Sequence, residues 1–313
     1  MASRTETTAS VFVHRWRGEA AITLASGGMS ATFLPELNLL GVSLRLAGEE
    51  FLALPGGVAA YRARRATGLP LLAPWANRLD GTTYRVGRVR VDLDGLDLTT
   101  DGNGLPIHGT TWREAWGITG VTTGARIARL RAHLLYDRPD QLAAFPFPHR
   151  IEVTASVDGA ALEIETCVRP TSDRAVPVSF GYHPYLRLPA GARRDWRLAL
   201  PPRAHLELNA GGIPTGKQAP ESAEADSIGA RTFDDAYAVS TPSRMEIRGA
   251  RQRLRVDFDG GYPYLQVYAP PRSRFVCLEP MTAPTNALGT DSCPSVAPGD
   301  AYTARFSLRP SAV

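Results

Sequence analysis

Two residues have the right chemistry to move protons near neutral pH: His183, in the stretch SFGYHPYLRL, and Glu279, in RFVCLEPMTAPTNAL. Further polar side chains sit in turn-rich surroundings: Asn77 and Arg78 in PLLAPWANRLDG, His108 in GLPIHGTTWREAW, and Asp234 with Asp235 in TFDDAY. Taken singly, each also has a structural job. Pro184 holds His183 extended, where it could cap a strand end, and His108 before Gly109 fits a turn. Asp234 fits an Asx turn. Glu279 interrupts the apolar run FVCL and precedes Pro280, which places its carboxylate at the rim of a sheet, where a salt bridge to Arg78 would satisfy it.

The elements that must position these groups are strands. Residues Ile151, Val153, Ala155 and Val157 alternate with polar neighbours, Asp158-Gly159 turns the chain, and Leu162, Ile164, Thr166 and Val168 alternate again. That is a β-hairpin signal, because Asp-Gly tolerates the positive φ of tight turns. The same period recurs after Thr82, Trp116, Asp195, Tyr264, Arg274 and Tyr302, and helical periodicity is confined to one short turn at DQLAAF. The glycine- and proline-rich run from Gly211 to Gly229 reads as a long surface loop. Many short strands without alternating helices predict an all-β protein, a large antiparallel β-sandwich or barrel, with residues 1–313 forming one domain.

Composition narrows the class. The chain has 313 residues, 43% hydrophobic and 21% charged, enough to bury a large core without disulfides or metals. Three cysteines, Cys167, Cys277 and Cys293, show no CxxC spacing. No signal-peptide pattern opens the sequence and no apolar run approaches a membrane span, so a cytoplasmic protein with no membrane partner is expected. The formal charge of +4 comes almost wholly from arginine, Lys217 being the one lysine. The strongest cluster, Arg251, Arg253 and Arg255, alternates as on the wet face of a strand, and no nucleic-acid partner is expected. Phosphate-cradling glycine loops and a GxSxG nucleophile elbow are absent.

In their order along the chain, NRLDGTTY, IHG followed by a tryptophan, GYHPYLRL, FDDAY, YLQVY and LEPMTAPTNAL resemble the aldose 1-epimerase (galactose mutarotase) family. The resemblance implies that family's β-supersandwich, in agreement with the strand reading, and a reaction that interconverts the α and β anomers of a free aldose. One group takes the proton of the C1 hydroxyl, another protonates the ring oxygen, and the opened aldehyde rotates and recloses. By the same match Glu279 is the base and His183 the acid, its imidazolium favoured by carboxylates such as Asp234, and the two are expected to face each other across a sugar-sized gap. Arg78, His108, Asp234, Gln266 and Asn77 would bind the sugar, with Asp235 as the alternative to Asp234. Trp75, Trp112, Tyr182 and Tyr185 offer either flat faces for the sugar or core packing. The resemblance implies no cofactor and no metal; a small-molecule sugar is the expected partner, and the chain is expected to be a monomer or weak homodimer.

Three other readings compete. A hexose-6-phosphate 1-epimerase of the same superfamily would need cations for the phosphate, with Arg62, Arg64 and Arg65 as candidates. A sugar-binding regulatory protein would have no need of an acid and a base. A metallohydrolase would use His108, His183 and Glu279 as ligands, though no HExxH spacing assembles them.

Overall fold

The computed structural model describes residues 8–313, so the first seven positions of the segment read for a signal peptide lie outside the described residues. Antiparallel β-structure dominates, in a nine-stranded sheet, an eight-stranded sheet and a five-stranded meander over the first fifty residues. Alternation produces this layering directly. Strand His149–Val157 buries every second residue, and so does its neighbour Ala128–Tyr136. The expected hairpin forms between His149–Val157 and Leu162–Pro170, with Ile151 opposite Val168 and Val157 opposite Leu162. Gly159 turns at φ 87°, and Asp158 accepts from the backbone N–H groups of Ala160 and Ala161.

One apolar cluster joins the inner faces. It takes Ile151, Val153, Leu254, Val256 and Phe306 from the nine-stranded sheet and Leu265, Val267, Val276 and Leu278 from the eight-stranded one. Each such side chain, wholly buried, contributes roughly 1.5–3 kcal/mol. Arg253 and Arg255 alternate with Leu254 and Val256 on the strand Gln252–Gly260, the arginines half-buried and the aliphatics in the core. The one short helical turn expected, at DQLAAF, forms as the helix Pro139–Ala144.

The run from Gly211 to Gly229 departs from its reading as a loop. It forms two strands, Pro214–Glu221 and Glu224–Ser227, the first at the outer edge of the eight-stranded sheet and the second at the outer edge of the nine-stranded one. Prolines are tolerated there because an edge strand leaves one row of backbone groups unpaired, so a missing N–H costs no ladder bond. The alternation that betrays other strands is missing because most of both strands is exposed. No helix among the described residues is long and apolar enough to cross a membrane.

Candidate active site

Register in the eight-stranded sheet assembles the site. Strand Val276–Met281 pairs with Tyr264–Ala269, setting Gln266 opposite Glu279 and Tyr268 opposite Cys277. Tyr264–Ala269 pairs in turn with Phe233–Val239, setting Asp234 opposite Tyr268. On the other side Gly181 pairs with Met281 and Tyr185 with Cys277, and that spacing brings His183 opposite Glu279. Residues directly opposite in an antiparallel ladder share a face. His183, Glu279, Gln266, Tyr185, Tyr268 and Asp234 therefore project from one face of the sheet.

The glycine and proline of GYHPYL have separate jobs. A Cβ on Gly181 would lie 2.2 Å from Met281 Sδ and 2.7 Å from the carbonyl oxygen of Pro280, so only glycine lets this strand approach the Glu279 strand. Pro184 interrupts the ladder, and the imidazole stacks on Tyr185 at 4.7 Å and 10°. Two loops close the opposite wall. Asn77 and His108 both have left-handed backbones, φ 57° and 63°, and His108 N–H donates to the Asn77 carbonyl. The Asn77 N–H donates to His108 Nδ1 at 3.2 Å. An N–H can only donate, so Nδ1 is the acceptor and the neutral ring carries its proton on Nε2.

Arg78 is held from several directions. Its Nε donates to Asp101 Oδ2 at 2.7 Å, Nη1 donates to Asn77 Oδ1 at 3.1 Å, and Nη2 lies 3.5 Å from Asp234 Oδ2. Asp234 Oδ1 also accepts from Gln266 Nε2 at 2.8 Å. Asp235 points away, toward His205 Nε2 at 3.3 Å. These walls enclose a cavity of about 240 Å³ with Trp112, Tyr185 and Tyr268 among its lining, a volume for one small polar molecule. A shallower depression of about 500 Å³ shares Arg78 and Asp234 with it and continues over His205 and Asp235. Trp75 and Tyr182 belong to the core, Tyr185 to the cavity wall, and Trp112 to both, buried in a second apolar cluster and lining the cavity.

Three expectations need correction. Glu279 does not sit at a rim; it is 1% exposed, in mid-sheet between paired strands, and no ion pair joins it to Arg78, whose donors go to Asp101, Asn77 and Asp234. His183 and Glu279 do not stand across a sugar-sized gap: Nε2 and Oε1 are 3.3 Å apart. The physical reason is register: with Gly181 opposite Met281 and Tyr185 opposite Cys277, His183 and Glu279 fall directly opposite on neighbouring segments, where side chains touch. Finally, His183 is not held as an imidazolium. Burial pushes it down to about 3 and pushes the Glu279 carboxyl well up, with the charge of Asp234 adding to that rise and Arg78 opposing it. The 3.3 Å approach is not aligned as a hydrogen bond, and His183 Nδ1 and Glu279 Oε1 are both buried without hydrogen-bond partners. Buried polar atoms of that kind are what a ligand satisfies.

Among the described residues, the side chains close enough to share a metal ion are His183, Cys277 and Glu279, whose ligand atoms lie within 4.8 Å of one another. His108, the third ligand of the hydrolase reading, is not in that group. Burial pushes the Cys277 thiol well up, which opposes the thiolate that a metal binds.

The sequence pattern of aldose 1-epimerases matches residues 41–309. The chain belongs to the aldose 1-epimerase family. No curated protein matches it in a sequence search. Solved structures share the fold: a galactose mutarotase-like protein of Clostridium acetobutylicum aligns at a TM-score of 0.87 with 17% identity, covering 99% of this chain and 100% of that one. The galactose 1-epimerase of Lactobacillus acidophilus aligns at 0.78 with 16% identity, covering 98% and 99%. A galactose mutarotase-like protein of Lactobacillus casei aligns at 0.72 with 14% identity, covering 93% and 100%. These likenesses agree with the antiparallel sandwich expected from the strand pattern, and an aldose 1-epimerase family member is what the six ordered motifs implied.

Sequence reading missed several members of the cavity wall. Tyr268 lies two residues beyond Gln266 on the same strand face, a signal available in YLQVY. Asp101, which anchors Arg78, comes from a turn with no motif to mark it.

Proposed function

We propose that this family member is an aldose 1-epimerase acting on a free, unphosphorylated aldose, with Glu279 and His183 as the proton-moving pair. The observation that carries this reading is their 3.3 Å approach at the floor of a polar cavity. The pair shares one proton, which rests on Glu279 in the empty site and passes to His183 across their 3.3 Å approach when the ring-closed sugar binds. Glu279 takes the proton of the C1 hydroxyl, the C1–ring-oxygen bond breaks as C1–O becomes a carbonyl, and His183 protonates the departing ring oxygen. The proton is then on Glu279 and the imidazole is neutral, the state that burial favours in the empty site. Rotation about C1–C2 and reversal of the same transfers give the other anomer, with no change in oxidation state. Arg78, Asp234, Gln266 and the Nε2–H of His108 offer the surrounding hydroxyls donors and acceptors in fixed positions, and Asn77 supports both Arg78 and His108.

A phosphorylated substrate is disfavoured by charge. Arg64 reaches the cavity wall but is already paired in two parallel contacts with Asp97, at 2.7 and 2.5 Å. Arg62 pairs with Glu19 at 2.8 Å, and Arg65 is not part of the lining. Arg78 is committed to Asp101 and Asp234.

NMR anomer exchange tests the assignment on glucose, galactose, arabinose and xylose, with glucose 6-phosphate alongside glucose. Catalysed exchange of at least one free aldose, faster than that of the phosphate, is expected. Tight sugar binding without exchange would make the protein a binder, and preference for the phosphate would move it to the hexose-phosphate branch.

A further inference from the structure

A second cleft, of about 490 Å³, lies between the short turn Arg193–Asp195, the chain at 229–230 and the connection at 271–274. That connection is the tip of the hairpin whose strands carry Gln266 and Glu279. No residue lines both this cleft and the sugar cavity. Its walls contain Arg193, Arg194, Arg272 and Arg274 and no acidic side chain.

Arg193 is the informative member. It is 8% exposed, its Nη2 donates to the Arg231 carbonyl at 3.2 Å, and its Nη1 is buried with no partner. Arg203, equally buried, shows how the fold treats a buried guanidinium elsewhere: Glu221 sits 2.6 Å away and Glu224 3.6 Å away. Among the described residues no carboxylate pairs with Arg193, Arg272 or Arg274, and Arg194 has only Asp195 at 3.9 Å. Burial lowers the pKa of Arg193, the mark of a cation without its counter-charge. A buried charge is costly unless paired, and a cleft lined by four arginines with no acid among its walls suits an anion that accepts several hydrogen bonds at once.

We propose that this cleft binds a phosphate group, either as free phosphate or as part of a small phosphorylated metabolite. The cleft leaves room beyond the phosphate for a larger body.

Isothermal titration of the full chain with inorganic phosphate, glucose 6-phosphate and ATP, at ionic strength matched with sodium chloride, tests this. Saturable binding of at least one probe is expected. Tightest binding by inorganic phosphate identifies the free anion as ligand, and tighter binding by either organophosphate identifies a metabolite. Arg193→Gln and the doubly substituted Arg272→Ser/Arg274→Ser should each weaken binding by about tenfold or more. The second variant changes only exposed side chains, so it answers the question even where Arg193→Gln fails to fold. The proposal is overturned by no binding of any probe, by binding unaltered in Arg272→Ser/Arg274→Ser, or by glucose 6-phosphate binding that Glu279→Gln abolishes and the cleft variants do not. Retention on heparin without binding of the small probes would also overturn it.

Discussion

Nε2 of His183 lies 3.3 Å from Oε1 of Glu279, and the two residues come from segments nearly a hundred positions apart that antiparallel register sets face to face. A pair that exchanges one proton acts as a unit. Glu279→Gln and His183→Asn should each lower kcat by about 10²–10⁴, and the double variant should lose little more than the worse single one. Anomer exchange by NMR, with KM followed in parallel, measures this. Fully additive losses, or wild-type exchange in either single variant, would contradict the shared-proton mechanism.

The two adjacent aspartates should separate cleanly. Asp234 faces Arg78 and Gln266 at the cavity, whereas Asp235 pairs with His205. Asp234→Asn is expected to raise KM by about 10–100-fold, the worth of a hydrogen bond to a charged group. Asp235→Asn should stay within about twofold. The reverse ranking would exchange their roles.

Acid should destabilise the fold through buried histidines. His183 and His149 are buried and pushed down to about 3 and about 4, against about 6.5 when unfolded. Between those limits the unfolded chain holds more protons, so stability falls as pH falls, by up to about 1.4 kcal/mol per pH unit for each histidine. Glu279 acts oppositely: its raised pKa makes the native state bind the extra proton above about 4.3, so its contribution grows as pH falls toward that value. Urea midpoints measured across this range should drop with acid, and more steeply in Glu279→Gln. A flat profile in both proteins would contradict these charge states.

Gly181→Ala places a methyl into Met281 and the Pro280 carbonyl, forcing apart the strands that align His183 with Glu279. A loss of about 1–3 kcal/mol is expected, with exchange activity falling as well. Gly120→Ala, where an added Cβ meets nothing within 4 Å, serves as control and should stay within about 0.5 kcal/mol. Urea denaturation compares the two.

Much of this was legible in the sequence where local pattern decides the outcome. The 149–170 hairpin and the strands carrying Gln266 and Glu279 follow from period-two alternation and turn chemistry. What the sequence could not show was register between distant segments, which fixes whether His183 touches Glu279 or stands across a ligand from it. It also misjudged charge. Nearby carboxylates suggested an imidazolium at His183, but enclosure by Tyr185, Tyr268 and the sheet floor makes desolvation the larger effect. Sequence alone pairs Arg78 with Glu279 because the anchor of Arg78, Asp101, lies in a turn whose position depends on tertiary packing.

The run of chain that forms Pro214–Glu221 and Glu224–Ser227 supplies the outermost strand of both large sheets. Pro214, Pro220 and the charged Lys217 occupy the first of these rims, and Glu224 and Asp226 the second. A strand from another copy finds missing donors on the first rim and the exposed carboxylate of Asp226 on the second, where Glu224 is held by Arg231 and Arg203. The segment with the least regular sequence pattern thus blunts one edge of each large sheet against end-to-end pairing.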